Sequence, residues 1–191
     1  MNNSIVRIQN LLGAHGDHGF DVTMFTSRLE QKDYDKNAII LKEGQVEDYL
    51  YFVEKGMLRF YIEKGEKEIT FDFAFEGNFT SGYSSFLTRK PAPYYIQALV
   101  TTSIWRISYP DLQEVYKGNE QGQLIGRLAA EQLFIRKTAR ELSFLTQSAE
   151  ERYLHLLHEQ PQYIQQIPLK YLASYIGITP QALSRIRQRI N

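Results

Sequence analysis

LKYLASYIGITPQALSRIRQRI, residues 169–190, carries the spacing of two short helices packed steeply across a tight bend. Close contact between such helices needs a small residue in the first, and Ala173 supplies it. The bend needs a residue that tolerates positive φ, and Gly177, four positions on, supplies it. Leu172, Ile176, Ile178, Leu183 and Ile186 are placed to fill the wedge between the helices. Thr179 is placed to cap the second helix, and Pro180 suits its first position, where no intrahelical donor is required. An ordinary helical hairpin with Gly177 as its C-cap is the plainer alternative. Spacing, caps and local charge together favour a helix-turn-helix.

The second helix would turn Gln181, Ser184, Arg185 and Gln188 outward. Glutamine pairs with adenine and arginine with guanine through two hydrogen bonds each in the major groove. The segment from Gln160 to Asn191 holds four basic residues, Lys170, Arg185, Arg187 and Arg189, and no acidic one. A double-stranded DNA partner is therefore expected, with Lys170, Thr179, Gln181, Ser184, Arg185 and Gln188 as its contacts.

Upstream, SAEERYLHLLHEQ opens with Ser148 and Glu151 spaced as a capping box. Pro161 and Pro168 bound a short polar connector, QYIQQI. Before it lies a long helical stretch, roughly Asn119 to Thr146, with no internal proline. Leu128, Ile135, Leu142 and Ala149 recur every seven residues. Leu124, Leu128, Ile135, Ala139, Leu142 and Leu145 together form one stripe. Two arrangements satisfy that stripe: a helix lying along a neighbouring domain, or the seam of a parallel coiled-coil dimer. Leu124, Leu128, Ile135, Leu142 and Leu145 are taken as a homodimer interface.

Between Ala38 and Ile107 the texture is different. AIILKEGQ, YLYFVEKG, MLRFYIEKG, EITFDFAFEGNF, YYIQALVT and SIWRISY read as six strands. Gly44, Gly56, Gly65 and Gly77 punctuate them at intervals of 12, 9 and 12 residues, as in a sandwich or closed barrel. In MLRFYIEKG, Leu58, Phe60 and Ile62 alternate with Arg59, Tyr61 and Glu63, which predicts one buried face and one wet face. Tyr109-Pro-Asp-Leu then begins a short helix. Near the N-terminus, Ile5, Ile8, Leu11 and Leu12 have helical spacing, and Phe25 and Leu29 suggest a second short helical piece. The class is α+β.

The 191 residues suffice for one large domain or two small ones. Twenty-two Lys and Arg balance 22 Asp and Glu, so only the local asymmetry at the C-terminus points to a polyanion. There is no cysteine, which excludes disulfides, cysteine-ligated iron–sulfur clusters and thiolate nucleophiles. No apolar run reaches the roughly 18–20 residues of a membrane helix, and no signal-peptide core is visible. A cytoplasmic protein without a membrane partner is expected. His15 with His18, and His155 with His158, are pairs without a third ligand beside them. The region Ala38–Ile107 has no histidine, unlike the strands of metal-dependent barrel enzymes. No metal, no other cofactor and no catalytic residue is expected.

These features resemble the Crp/Fnr family of bacterial transcription regulators. LKEGQVEDYLYFVEKGMLRFYI resembles its cyclic-nucleotide-binding barrel, SYPDLQEVY and the long helix resemble its dimer helix, and the Ala173–Gly177–Leu183 segment resembles its helix-turn-helix. The resemblance implies a double-stranded β-helix jelly-roll sensor over residues 1–116. It implies a dimerisation helix over 117–147 and a DNA-binding domain over 148–191. It implies a homodimer whose two recognition helices read an inverted repeat. The family's base-reading positions fall on Pro180, Gln181 and Arg185, so a different operator is expected.

The effector cassette departs from the family pattern. Its ribose-binding Glu falls near Gly82, and the residue after Pro91 is Ala92 where the family has a phosphate-binding Arg. Tyr94 and Tyr95 follow where small residues are usual, and the base-facing helix positions fall near Ile135 and Arg136. An effector pocket of Gly82, Tyr83, Ser84, Ala92, Tyr94, Tyr95 and Arg136 lacks a matched cation for a cyclic phosphate. The expectation is a regulator that does not respond to cAMP, with room for another small molecule. The chain stops one residue after Ile190, so the β-hairpin wing of the family is not evident. The alternative is a barrel sensor or interaction protein that has lost DNA binding.

Overall fold

The computed structural model describes Val6, Ile8 and residues 23–118 and 120–190; the side chains of Glu120, Gln121, Ile125, Leu128 and Gln132 are excluded. The expectations on Ile5, Leu11, Leu12, His15, His18 and the side chain of Leu128 fall outside that set.

The chain divides into two compact units. One contains residues 1–60 and 73–132, the other residues 61–72 and 133–191. The first is a β-sandwich with a helical exit. A short helix α1 (Thr23–Thr26) leads to β1 (Glu30–Tyr34), β2 (Ile39–Leu41), β3 (Tyr49–Lys55), β4 (Met57–Lys64), β5 (Lys67–Phe75) and β6 (Phe79–Thr80). Helix α2 (Tyr83–Thr88), β7 (Tyr95–Ala98), β8 (Thr102–Ser108) and α3 (Tyr109–Gly118) follow. The strands form two four-stranded sheets, ordered β1-β8-β3-β6 and β2-β7-β4-β5. Ile8, Phe25, Phe52, Phe86, Ile107, Leu112 and Val115 pack together as one cluster of its core.

Among the described residues eight strands form where six are expected. The added β1 reads EQKDY and is largely exposed. It is an antiparallel edge strand on β8, with Glu30 opposite Arg106 and their side chains paired at 3.1 Å. Charge on an edge strand discourages further pairing and erases the alternation that marks a strand in sequence. The segment EITFDFAFEGNF is not one strand. Gly77, at φ 85°, lets the chain leave β5 in one sheet and enter β6 in the other, against β3. The predicted wet face of MLRFYIEKG holds at Glu63 but not at Arg59 or Tyr61, which are buried. β4 is an inner strand of its sheet, and its side chains are buried on both faces from Met57 to Tyr61. Arg59 is 1% exposed.

Helix α4 (Glu120–Thr146) has 27 residues, close to the length expected. Its first half enters the first unit at two small residues. A Cβ on Gly126 would lie 2.9 Å from the Tyr116 ring, and one on Gly122 would lie 3.0 Å from the Val115 carbonyl. Its second half belongs to the C-terminal unit, with α5 (Ala149–Glu159), α6 (Pro161–Gln166), α7 (Leu169–Ile176) and α8 (Pro180–Ile190). The Ser148–Glu151 capping box at α5 forms as the spacing predicts. The expected connector after Pro161 is instead the helix α6, because Tyr163 is buried and docks it against Tyr175 with ring centroids 5.4 Å apart. The tip of the β4–β5 hairpin joins this unit: Ser174 Oγ accepts from Thr70 N–H at 2.9 Å and donates to the Glu68 carbonyl at 3.2 Å.

Candidate functional site

Helices α7 and α8 are held by an apolar centre of Leu172, Ala173, Ile176 and Leu183, all nearly inaccessible. Gly177 lies between them at φ 90°. Its N–H and that of Ile178 both donate to the Ala173 carbonyl at 3.0 Å, closing the end of α7 in a left-handed cap. The bend is also close-packed: a Cβ on Gly177 would lie 2.9 Å from the Phe144 ring. Thr179 Oγ1 accepts from Ala182 N–H at 3.2 Å and caps α8. Ile178 and Ile186 are only partly buried, so the wedge is narrower than expected.

Gln181, Arg185 and Gln188 are exposed on one face of α8, and Ser184 is half-buried beside them. Lys170 is exposed on α7, with its Nζ 5.4 Å from the Tyr171 ring centroid. The outward face is less basic than the sequence suggests. Arg187 turns toward the Tyr153 ring, at 5.8 Å, and Arg189 pairs with Glu150. Arg185 has no ion pair or hydrogen bond among the described residues.

On α4 the expected interface residues stand in water. Leu124 is 36% exposed, Ile135 59%, Leu142 52% and Leu145 76%. Phe134, not anticipated, is equally exposed.

In the first unit, Gly82 precedes α2 and meets a buried acid. Glu47 is 1% exposed. Its Oε1 accepts from the Tyr51 hydroxyl at 2.7 Å and from Tyr49 N–H at 3.0 Å, and Oε2 from Gly82 N–H at 3.4 Å. Its own N–H donates to Ser85 Oγ at 3.0 Å. Burial raises the Glu47 carboxyl above its ordinary range, and these hydrogen bonds offset that in part. Burial beside Glu47 likewise pushes the Tyr51 hydroxyl up. A Cβ on Gly82 would lie 3.0 Å from Leu41 and 3.2 Å from Glu47, so this corner is filled. Ala92 is buried and bonded through its backbone to Gly44 and Gln45, at 2.8 Å each. Ser84 Oγ and Tyr94 Oη are 3.1 Å apart, and Tyr95 is half-buried at the start of β7.

Arg89 turns away from this carboxylate. It donates to the Glu47 carbonyl at 2.5 Å, pairs with Asp48 and covers the Tyr109 ring at 4.5 Å. Tyr83 stacks on Phe86 and helps line a separate cavity of about 340 Å3 with Tyr116, Gln123 and Arg127. Burial and the neighbouring Tyr83 push Tyr116 up to about 12. Of the expected effector residues, Arg136 belongs to the C-terminal unit, where it lies 3.7 Å from Asp72.

Residues 31–119 match the Cyclic nucleotide-binding domain family. Among curated proteins there is no sequence match. Solved structures share the fold. A CooA variant from Carboxydothermus hydrogenoformans aligns with TM-score 0.70 at 16% identity, over 91% of this chain and 80% of that one. FixK2 from Bradyrhizobium japonicum aligns with TM-score 0.71 at 17% identity, over 85% and 84%. CLP of Xanthomonas campestris, a c-di-GMP responsive global regulator, aligns with TM-score 0.67 at 17% identity, over 88% and 89%. The likeness spans both the sandwich and the C-terminal helices. Among the described residues no helix is long and apolar enough to cross a membrane, and no group of three or more potential metal ligands forms.

Proposed function

We propose that this protein is a homodimeric, sequence-specific DNA-binding transcription regulator of the Crp/Fnr type, and that cAMP is not its effector. The observation that carries the first part is the outer face of α8. Gln181, Arg185 and Gln188 are exposed at helical spacing on a helix anchored by buried Leu183, and Arg185 is uncommitted. A long side chain kept in water without an intramolecular partner is available to a guanine edge. Helices α7 and α8 then act as a helix-turn-helix within a DNA-binding segment 148–191. The apolar face of α4 pairs two copies over segment 117–147, and the jelly-roll sensor occupies 1–116. Two recognition helices so placed read half-sites about 34 Å apart.

The reading on cAMP rests on Glu47. A cyclic phosphate brought to the corner between Gly82 and Ala92 would meet a buried acid with no cation aimed at it. A phosphate charge buried there without a cation would be costly to desolvate. Calorimetry with cAMP at micromolar concentration should give no saturable heat, and a clear saturable heat overturns this part.

The DNA reading is tested by fluorescence anisotropy with genomic fragments at two salt concentrations. Salt-sensitive, sequence-selective binding is expected. Arg185→Ala should relax base preference and cost about 1–3 kcal/mol of specific binding. An unaltered preference in that variant removes Arg185 from the readout. One observation favours a second reading, a sensor that no longer engages DNA: Arg187 and Arg189 are both turned onto the protein itself. Absence of any salt-sensitive shift would select it.

A further inference from the structure

We propose that the C-terminal unit binds a small hydroxylated anion, a short phosphomonoester or hydroxy-carboxylate, in a cavity of about 140 Å3 beneath the α7–α8 bend. The lining includes Asp72 from the hairpin tip, Arg140 from α4, Gln147 just after it, Arg152 from α5, and the buried Tyr163 and Tyr175. Cavities of roughly 150 Å3 hold a molecule about the size of benzene.

The charges decide what enters. Asp72 is the acidic residue in the lining, and it is already answered twice. Lys137 Nζ donates to it at 2.5 Å, and Arg136 lies 3.7 Å away. Arg140 and Arg152 have no carboxylate partner among the described residues. Both lie against the Phe144 ring, at 4.6 and 4.4 Å from its centroid, so two like charges share one aromatic neighbour. Arg152 is pulled below the ordinary arginine range, first by desolvation and then by Arg140. An anion in the cavity that both line would ease the repulsion between them.

Donors remain for it. Arg140 donates Nη2 to the Tyr175 carbonyl at 3.0 Å; its Nε and Nη1 make no hydrogen bond among the described residues. Arg152 donates Nε to the Ile176 carbonyl at 3.0 Å and Nη1 to the Gln147 carbonyl at 2.5 Å, leaving Nη2. The side-chain oxygen of Gln147 is buried without a hydrogen-bond partner among the described residues. A buried acceptor without a donor is costly, and a ligand hydroxyl supplies one. An ammonium donor would be repelled by the two arginines. Both guanidinium groups already hold carbonyls at the end of α7, so the ligand would sit against the bend itself.

The test is calorimetry on the full chain without DNA, using glycerol 3-phosphate, lactate, inorganic phosphate and acetate as probes. Saturable heat is expected with glycerol 3-phosphate or lactate, and whichever binds tighter identifies the anionic group. Arg140→Gln should weaken that probe about tenfold or more, the loss of one charge-assisted hydrogen bond. Gln147→Leu should erase the preference for hydroxylated probes over phosphate and acetate. Arg127→Gln, outside the cavity and paired with Glu131, should change nothing. No saturable heat with any probe overturns the proposal, and so does an equal loss in Arg127→Gln. If Arg140→Gln does not fold, Gln147→Leu decides, and an unchanged preference there overturns it. Failure here leaves the DNA reading intact, because no DNA enters the experiment.

Discussion

The sandwich unit and the C-terminal unit each take ionisable side chains out of water, and they treat them in opposite ways. Glu47 is enclosed by hydrogen-bond donors of its own unit, from Tyr51, Tyr49 and Gly82. Its demand is met within its own unit. Arg140 and Arg152 are less buried and have no acid to pair with. They spend part of their donors on backbone carbonyls and keep the rest. In one unit a buried acid fills a corner beside Gly82; in the other, partly buried arginines line a cavity.

The largest expected effect separates the units energetically. Leu183→Ala removes a fully buried side chain from between α7 and α8 and should cost about 2–5 kcal/mol of C-terminal stability. Trp105, the single tryptophan, lies on β8 of the sandwich. Urea unfolding followed by helical circular dichroism should shift, while tryptophan fluorescence should shift far less. Equal shifts in both signals would mean one cooperative block and would end the contrast between units.

A smaller effect sharpens the picture of the bend. Gly177→Ala meets both a left-handed backbone and the Phe144 ring, and should cost about 1–3 kcal/mol. Combining it with Phe144→Leu should recover the steric share and leave the backbone share. A double variant no more stable than Gly177→Ala alone would show that the ring is not in the way.

The smallest effect concerns Glu47 and pH. Its native pKa is raised, so the unfolded chain releases this proton first as pH rises. The stability that protonated Glu47 contributes is fully present below its ordinary value of 4.5 and is lost as pH rises through the raised native value. Glu47→Gln should flatten that fall in urea titrations taken between acid and neutral pH. An unchanged pH profile would place the carboxyl in water after all.

Much of this was legible in residue order where neighbours along the chain set the outcome. The Ser148–Glu151 capping box, the Gly177 bend and the length of α4 follow from local spacing, and the structure bears them out. Strand β1 was not legible, because EQKDY has no apolar alternation and is a strand only through its pairing with β8. Helix α6 read as a polar connector because its one deep anchor, Tyr163, finds its partner Tyr175 twelve positions away. Arg59 read as part of a wet face, and no local pattern singles out Glu47. No local pattern singles out Arg140 or Arg152 either.

Residue order by itself determined the elements and their ends: periodicity, caps and glycine bends act over a few residues, and the chain carries them wherever it goes. Which charges leave water was decided only by the tertiary structure. Desolvation depends on everything packed around a group, and for Glu47, Arg59, Arg140 and Arg152 those surroundings come from segments far apart in the chain. The candidate ligand chemistry of both units rests on those charges, so it became readable only once the segments were together.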